Sequence, residues 1–198
     1  MLDHKGISEP QKLAPTPVQI LGPYYPVERD PNADSDLTLQ PGASGRAKGA
    51  TLHVEGRVFF RDGQLATGAL VEAWQCDHAG VYRHPDALDG DTVDPNFEGY
   101  GRCVTDGAGS YAFKALRPVS YPGRAPHLHI MVRLSGEPVL ITQMYLDGEL
   151  ENDTDFALWR AGDLEEQRRL IADVSPSTRG DVDFEARFNL VLNLDGPV

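Results

Sequence analysis

The sequence predicts an all-β protein whose core is a β-sandwich carrying short helices and long loops. Two patterns support this fold class. Short segments rich in β-branched and aromatic residues recur between residues 51 and 194, and turn residues separate them. In residues 186–194, apolar and polar side chains alternate with the period of two that is typical of a half-buried strand. A chain of 198 residues, 40% of them hydrophobic, suits one continuous core.

Seven segments are predicted as strands and one as a helix. The strand segments are 51–60, 69–75, 101–105, 110–114, 127–134, 139–146 and 186–194. The first of them ends at a turn signal, Asp62-Gly63. The helix is predicted to begin at Asp163 as its N-cap and to run through Ile171, because its first turn is acidic and complements the helix dipole.

Residues 1–50 are predicted to form a proline-rich arm that packs on the domain formed by residues 51–198. Within the arm, Gly22-Pro23-Tyr24-Tyr25-Pro26 holds two adjacent tyrosines in a loop that prolines stiffen. A packing role and a contact with a substrate fit this loop equally well.

A second loop, residues 147–155, carries five carboxylates in nine residues. Their spacing does not match the calcium-binding loop of an EF-hand, so we interpret the segment as a solvated acidic loop.

Composition excludes several classes of partner. Lys plus Arg number 18 and Asp plus Glu 30, which gives a net charge of −12 that repels nucleic acids and anionic membranes. No apolar stretch approaches the roughly 20 residues needed to cross a bilayer, and residues 1–6 lack the apolar segment of a signal peptide. We therefore expect a cytoplasmic protein. Cys76 and Cys103 are too few for a disulfide framework and are expected to be free buried thiols.

The sharpest local signal is the pair His127 and His129, which a strand would direct to one face. Cupins follow such a pair with a nearby glutamate, and iron(II) enzymes add a carboxylate, but no Asp or Glu occurs between residues 107 and 136. Tyr121 and Tyr82 are the remaining candidates. A phenol has a pKa near 10, so a tyrosinate requires a strong cation, and iron(III) fits that need better than zinc or calcium. His78 and His84 are expected to pack or face solvent.

Six motifs between residues 16 and 192 strengthen this hypothesis. They are LVEAWQ at 70–75, GVYRH at 80–84, DPNF at 94–97, GRCVTD at 101–106, RAPHLH at 124–129 and ITQMY at 141–145. Together they resemble the intradiol ring-cleavage dioxygenases, and the similarity is greatest to the protocatechuate 3,4-dioxygenase branch.

The resemblance implies an iron(III) cofactor with four ligands, Tyr82, Tyr121, His127 and His129. Tyr121 is implied to leave the metal when substrate binds, while Tyr82 stays. Arg124 matches an arginine that stabilises charge on the reacting substrate, and Gln143 matches a glutamine near the oxygen-binding side. Pro23 and Tyr24 belong to a segment similar to one that lines the substrate pocket in the protocatechuate enzyme.

The implied reaction cleaves a catechol-type ring between its two hydroxylated carbons with O2 and gives a cis,cis-muconate type diacid. A protocatechuate-like substrate is favoured. Catechol or hydroxyquinol 1,2-dioxygenase activity, a non-catalytic sandwich subunit, a zinc or copper site and an extradiol enzyme are the alternatives. Only five residues separate Tyr121 from His127, fewer than in many relatives, and we expect no long helical N-terminal dimerisation region. We expect a homo-oligomer.

Overall fold

The computed structural model describes residues 12–30, 33–87 and 92–196. Two five-stranded sheets pack against each other, which confirms the predicted β-sandwich. One sheet has the order β10-β1-β9-β8, with β4 also paired to β1, and the other has the order β3-β2-β5-β6-β7. The strands are β1 Thr51–Phe59, β2 Leu70–Trp74, β3 Tyr100–Val104, β4 Ser110–Leu116, β5 His127–Leu134, β6 Glu137–Leu146, β7 Ile171–Ala172, β8 Val174–Pro176, β9 Phe184–Arg187 and β10 Leu190–Val191.

Six of the seven predicted strand segments match single strands, with shifts of one or two residues at some ends. The seventh, 186–194, was predicted as one strand and forms β9 and β10 with a break between them. At the break, the carbonyl oxygen of Phe188 lies over Gly56 and accepts a hydrogen bond from the Tyr111 hydroxyl at 2.6 Å. The side chain of Asn189 then accepts a bond from the backbone N–H of Arg57 at 3.0 Å. Side chains therefore take the place of two ladder hydrogen bonds here, while Phe188 N still donates to Glu55 O at 2.8 Å.

Three short helices follow β6: a 3₁₀ helix at Leu150–Asp153, α1 at Phe156–Trp159 and α2 at Leu164–Arg168. The predicted N-cap of α2 is confirmed, since the Asp163 side chain and Glu166 form a reciprocal capping box. The helix is shorter than predicted because Leu170 is fully buried and Ile171, in β7, pairs with Tyr145 of β6. Helix α1 was not predicted.

The described part of the arm lies along the edge of both sheets. Thr16 N donates to Val191 O at 2.9 Å, and Gln19 N donates to Ile141 O at 2.8 Å. The division of the chain at residue 50 stays a prediction. The expectation about a signal peptide concerns residues 1–6, which lie outside the described ranges. None of the helices in the described ranges is long and apolar enough to span a bilayer.

The apolar interior has two parts. The larger lies between the sheets, and a smaller cluster surrounds Trp74, Cys76 and Tyr82 on the outer face of the second sheet. Both cysteines are free, as expected, but only Cys76 is buried and Cys103 is half-buried. Burial raises the pKa of the Cys76 thiol to about 12, so this residue packs as a neutral group.

Candidate metal centre

Strand β5 presents two imidazoles on one face. His127 and His129 are 1% and 2% exposed, and their Nε2 atoms lie 3.2 Å apart. The neighbouring strands bring further polar groups to the same face, because His127 pairs with Tyr145 and His129 pairs with Gln143 on β6. The predicted histidine pair therefore converges on one point.

Both imidazoles are neutral at physiological pH. Burial lowers the pKa of His127 to about 3, and burial also lowers the pKa of His129 well below its ordinary value. Nδ1 of His127 lies 2.7 Å from the carbonyl oxygen of Ala125 and donates to it. The free lone pair of the His127 ring is consequently on Nε2, which faces His129. Two neutral rings in this arrangement can share one proton or hold a cation.

Two phenols complete the cluster. The hydroxyl of Tyr82 lies 3.4 Å from Nε2 of His127, and the ring of Tyr121 lies edge-on to Tyr82 with centroids 5.8 Å apart. Burial raises the pKa of Tyr82 well above 10, and burial raises the pKa of Tyr121 in spite of the nearby Arg124 charge. Neither phenol ionises unless a cation is bound beside it.

The loop after β2 brings Tyr82 to the cluster. The Asp77 carboxylate accepts hydrogen bonds from Ala79 N at 2.8 Å and Val81 N at 3.0 Å, which closes the turn. Gly80 has φ +83°, and a Cβ there would lie 3.1 Å from Cβ of Tyr121. Glycine thus allows both the left-handed backbone and the close approach of the two tyrosine loops.

Arg124 is buried and its side chain forms hydrogen bonds with four groups. Its Nε donates to Asp155 Oδ2 at 2.9 Å, and its Nη2 donates to Gln143 Oε1 and, at 3.1 Å, to the Tyr145 hydroxyl. Its Nη1 lies 3.5 Å from the Tyr121 hydroxyl. The guanidinium therefore reaches the cluster through Nη1 while its other nitrogens are fixed.

The arm covers the cluster from outside. Tyr24 stacks on Tyr82 with ring centroids 4.7 Å apart. At Gly22 an added Cβ would lie 3.4 Å from the His129 ring, whereas Pro23 is exposed. The two candidate substrate contacts therefore differ, because Tyr24 but not Pro23 stacks on a member of the tetrad, the four proposed ligands Tyr82, Tyr121, His127 and His129.

A cavity of about 1020 Å³ adjoins Tyr82, whereas Tyr121, His127 and His129 are not among its lining residues. Tyr24, Trp74 and Tyr82 form its aromatic side, while Arg83 and Glu98 are among its charged lining residues. His84 packs edge-on against Tyr24 with centroids 5.7 Å apart, in agreement with a packing role. The cavity is large enough for a substituted aromatic ring.

Sequence reasoning missed Tyr145 and Asp155. Tyr145 lies two residues after Gln143 on β6, so the strand period already directed both side chains to one face. Asp155 was included in a solvated acidic loop, but it is 1% exposed and caps α1 through bonds to Ala157 N and Leu158 N. A carboxylate just before the apolar residues 156–158 was the available signal for that cap.

A family profile described as Dioxygenase matches residues 20–194, most of the chain. The chain belongs to the intradiol ring-cleavage dioxygenase family. The protocatechuate 3,4-dioxygenase beta chain of Burkholderia cepacia is 38% identical over 135 residues, which is 64% of this chain and 57% of that protein. Catechol 1,2-dioxygenase 2 of Acinetobacter lwoffii is 33% identical over 160 residues, 72% of this chain and 55% of that protein. The chain thus spans about half the length of these relatives.

Solved structures support the family fold. The dioxygenase domain from Streptomyces sp. SirexAA-E aligns with a TM-score of 0.65 at 30% identity, over 92% of this chain and 100% of that one. An intradiol ring-cleavage dioxygenase from Tetranychus urticae aligns with a TM-score of 0.75 at 22% identity, over 94% and 98% of the two chains. At 22% identity, the match to the Tetranychus urticae protein shows that the two chains share a fold.

The donor set fits the non-haem iron of the intradiol dioxygenase family. Two neutral imidazole nitrogens converge with the Tyr82 hydroxyl, and the Tyr121 ring lies edge-on beside Tyr82. Ionisation of both phenols would offset two of the three charges of iron(III). Within the described ranges no group of three or more His, Cys, Asp or Glu side chains is arranged to hold a metal. A metal bound by these histidines would therefore need the tyrosines.

Proposed function

We propose that this dioxygenase-family chain binds iron(III) through Tyr82, Tyr121, His127 and His129 and cleaves a catechol-type ring between its two hydroxylated carbons. Dioxygen is the second substrate, and the product is a cis,cis-muconate type diacid. The observation that carries the proposal is the buried convergence of both Nε2 atoms with the Tyr82 hydroxyl, within 3.2 and 3.4 Å. When bound, iron(III) would withdraw electron density from the catecholate so that dioxygen can attack the ring.

Tyr121 is the phenol better placed to receive a substrate proton. It is half-buried, whereas Tyr82 is 5% exposed and stacked beneath Tyr24. A phenolate at Tyr121 Oη would accept one of the two protons that the diol loses, and a hydroxide displaced by the diol would accept the other, so no separate protein base is needed. Nη1 of Arg124, 3.5 Å from the same oxygen, would keep positive charge beside the site.

Arg124 is proposed to stabilise negative charge that develops on the ring. Its Nη1 is directed to the cluster, and its burial makes a fixed cation more effective than one in water. Gln143 is proposed to hold Nη2 of Arg124, because its Oε1 accepts from that nitrogen while its Nε2 donates to Ile20 O at 3.1 Å.

The aromatic side of the cavity is proposed to hold the substrate ring, with Tyr24 as a contact and Pro23 shaping the loop. A protocatechuate-like substrate is favoured because the 38% identical relative is a protocatechuate 3,4-dioxygenase beta chain. Catechol and hydroxyquinol are the alternatives, since relatives acting on both are also similar. A homo-oligomer in the cytoplasm remains our expectation from the sequence.

An assay of the purified, iron-loaded chain with protocatechuate, catechol and hydroxyquinol tests the proposal. Oxygen uptake and the ultraviolet absorbance of the diacid are followed together. We expect consumption of at least one diol with equimolar oxygen. Failure to consume any of them at full iron content would reject the proposed activity of the chain alone.

A further inference from the structure

We infer that Asp155 is a positioning residue that holds the Arg124 guanidinium in the single orientation from which it reaches the tetrad. The inference rests on the proposed function, because it gives Arg124 a role in the reaction. Asp155 Oδ2 accepts from Nε of Arg124 at 2.9 Å and from the backbone N–H of Ala125 at 2.8 Å. The same carboxylate oxygen thus fixes the arginine side chain and the backbone that leads to His127.

The second carboxylate oxygen ties this arrangement to α1. Oδ1 of Asp155 accepts from Ala157 N and Leu158 N, both at 2.9 Å, and lies 3.3 Å from the Tyr145 hydroxyl. The side chain is fully shielded from solvent, with 0% exposure. A carboxylate held by backbone N–H groups on both oxygens has little freedom to move, so its partner is held equally firmly.

Each of the three guanidinium nitrogens of Arg124 thereby has different partners. Asp155 occupies the Nε edge, Gln143 and Tyr145 occupy Nη2, and Nη1 is the nitrogen that faces Tyr121. An arginine side chain has several rotatable bonds, and its planar guanidinium donates hydrogen bonds only within its own plane. Asp155 selects that plane.

The residue after Asp155 supports the same orientation. The ring of Phe156 lies under the guanidinium, with 5.3 Å between its centroid and Cζ of Arg124. Burial raises the pKa of Asp155, but bonds from Leu158 N and Ala125 N and the Arg124 charge outweigh it and hold the pKa below its ordinary value. The carboxylate is ionised at neutral pH and is the counter-ion of the buried arginine.

If Asp155 only caps α1, its substitution should affect kcat no more than the same change at another helix cap. Asp163 provides the matched control, because it caps α2 in the same way but is exposed and has no contact with Arg124 among its hydrogen bonds. Asp155→Asn retains an oxygen for the cap and loses the charge opposite Nε. Asp155→Ser, also a good N-cap, serves if the asparagine variant does not fold.

The experiment is a double-mutant cycle on the iron-loaded protein with Asp155→Asn, Arg124→Ala and the combination, beside Asp163→Asn. We expect Asp155→Asn to lower kcat about 10- to 100-fold at unchanged iron content, and Asp163→Asn to leave it unchanged. In the Arg124→Ala background, Asp155→Asn should cost nothing further, because both changes remove the same function. An equal loss in both backgrounds, or unchanged kcat, would overturn the inference.

A second readout does not depend on turnover. In nitrogen-15 NMR spectra of the metal-free protein, the Arg124 Nε–H signal, assigned by its loss in Arg124→Lys, should be protected from solvent exchange. We expect Asp155→Asn to remove that protection and Asp163→Asn to keep it. Protection that survives in Asp155→Asn would reject the positioning role. If the wild type fails to cleave any diol while this pattern holds, the proposed function fails and the hold of Asp155 on Arg124 stands.

Discussion

Trp74 lies flat against the imidazole of His129, with ring centroids 4.7 Å apart and planes inclined by 9°. The two residues are cross-strand partners on β2 and β5, and Trp74 is 1% exposed. The core thus sets the plane of one imidazole, while the Ala125 carbonyl orients that of His127. We therefore consider the histidine pair preformed, so that binding of the proposed iron would require no rearrangement of β5.

Tyr82→Phe and Tyr121→Phe test the assignment of the phenols as ligands. Each variant removes one phenolate donor, so we expect each to shift or weaken the broad visible band of tyrosinate bound to iron(III). Absorption spectra recorded at matched iron content check this result.

Tyr111→Phe is the control for the two ligand variants. Tyr111 lies on β4, outside the tetrad, and its buried hydroxyl donates to Phe188 O at 2.6 Å. The visible band should therefore not change in this variant. Circular dichroism establishes that all three proteins are folded. Spectra identical to wild type in both ligand variants would disprove the assignment.

Arg124→Ala tests electrostatic catalysis. We expect retained iron and colour with kcat lower by about 10²–10³, and only partial recovery in Arg124→Lys because an ammonium cannot reproduce the planar fork. Stability should also fall by about 3–5 kcal/mol, since the ion pair with Asp155 at 2.9 Å is buried and the variant leaves its carboxylate unpaired.

Arg187→Ala is the matched control for Arg124→Ala. Its guanidinium pairs with Glu55 at 2.9 Å on the surface, so the change should alter stability by about 0–1 kcal/mol and leave kcat intact. Steady-state kinetics at equal iron content decides the matter. If Arg124→Ala turns over as fast as wild type, Arg124 has no catalytic role.

Glu72 should make stability depend on pH. Burial raises the pKa of Glu72, but hydrogen bonds from Tyr100, Arg133 and Tyr25 outweigh burial and hold the pKa below 4.5. A depressed pKa contributes stability that is present above the unfolded-state pKa and lost as the pH falls through the folded-state value. Glu72→Gln should therefore be less stable by about 1.5–3 kcal/mol near neutral pH, and the deficit should shrink below about pH 4.5.

Urea unfolding at several pH values between about 7 and 3 measures the Glu72 effect. Glu55→Gln, which alters a surface pair, should cost about 0–1 kcal/mol and serves as the control. A deficit that is absent at neutral pH, or that stays constant as the carboxylate is protonated, would be inconsistent with the network seen around Glu72.

The parts of the site that could be predicted are those governed by strand periodicity and local motifs. Residues 127–134 were predicted as a strand with the bounds that β5 has, and the two histidines follow from a period of two. Tyr82 and Tyr121 are proposed as ligands from chemistry and family resemblance, because their positions depend on loops that no periodicity describes.

The parts that could not be predicted depend on contacts between distant segments. Five carboxylates in residues 147–155 look alike in sequence, and only the approach of Arg124 distinguishes Asp155 as the buried one. The break between β9 and β10 likewise results from the close approach of Gly56 to Phe188. Such pairings are set by the assembled sandwich.

Labelling with ¹⁸O2 tests the central claim most directly. The iron-loaded chain is supplied with the diol that it consumes, and the product is analysed by mass spectrometry. Intradiol cleavage predicts a cis,cis-muconate type diacid that carries both heavy oxygen atoms. An aldehyde-containing product cleaved outside the diol, or a product without the label, would contradict the account.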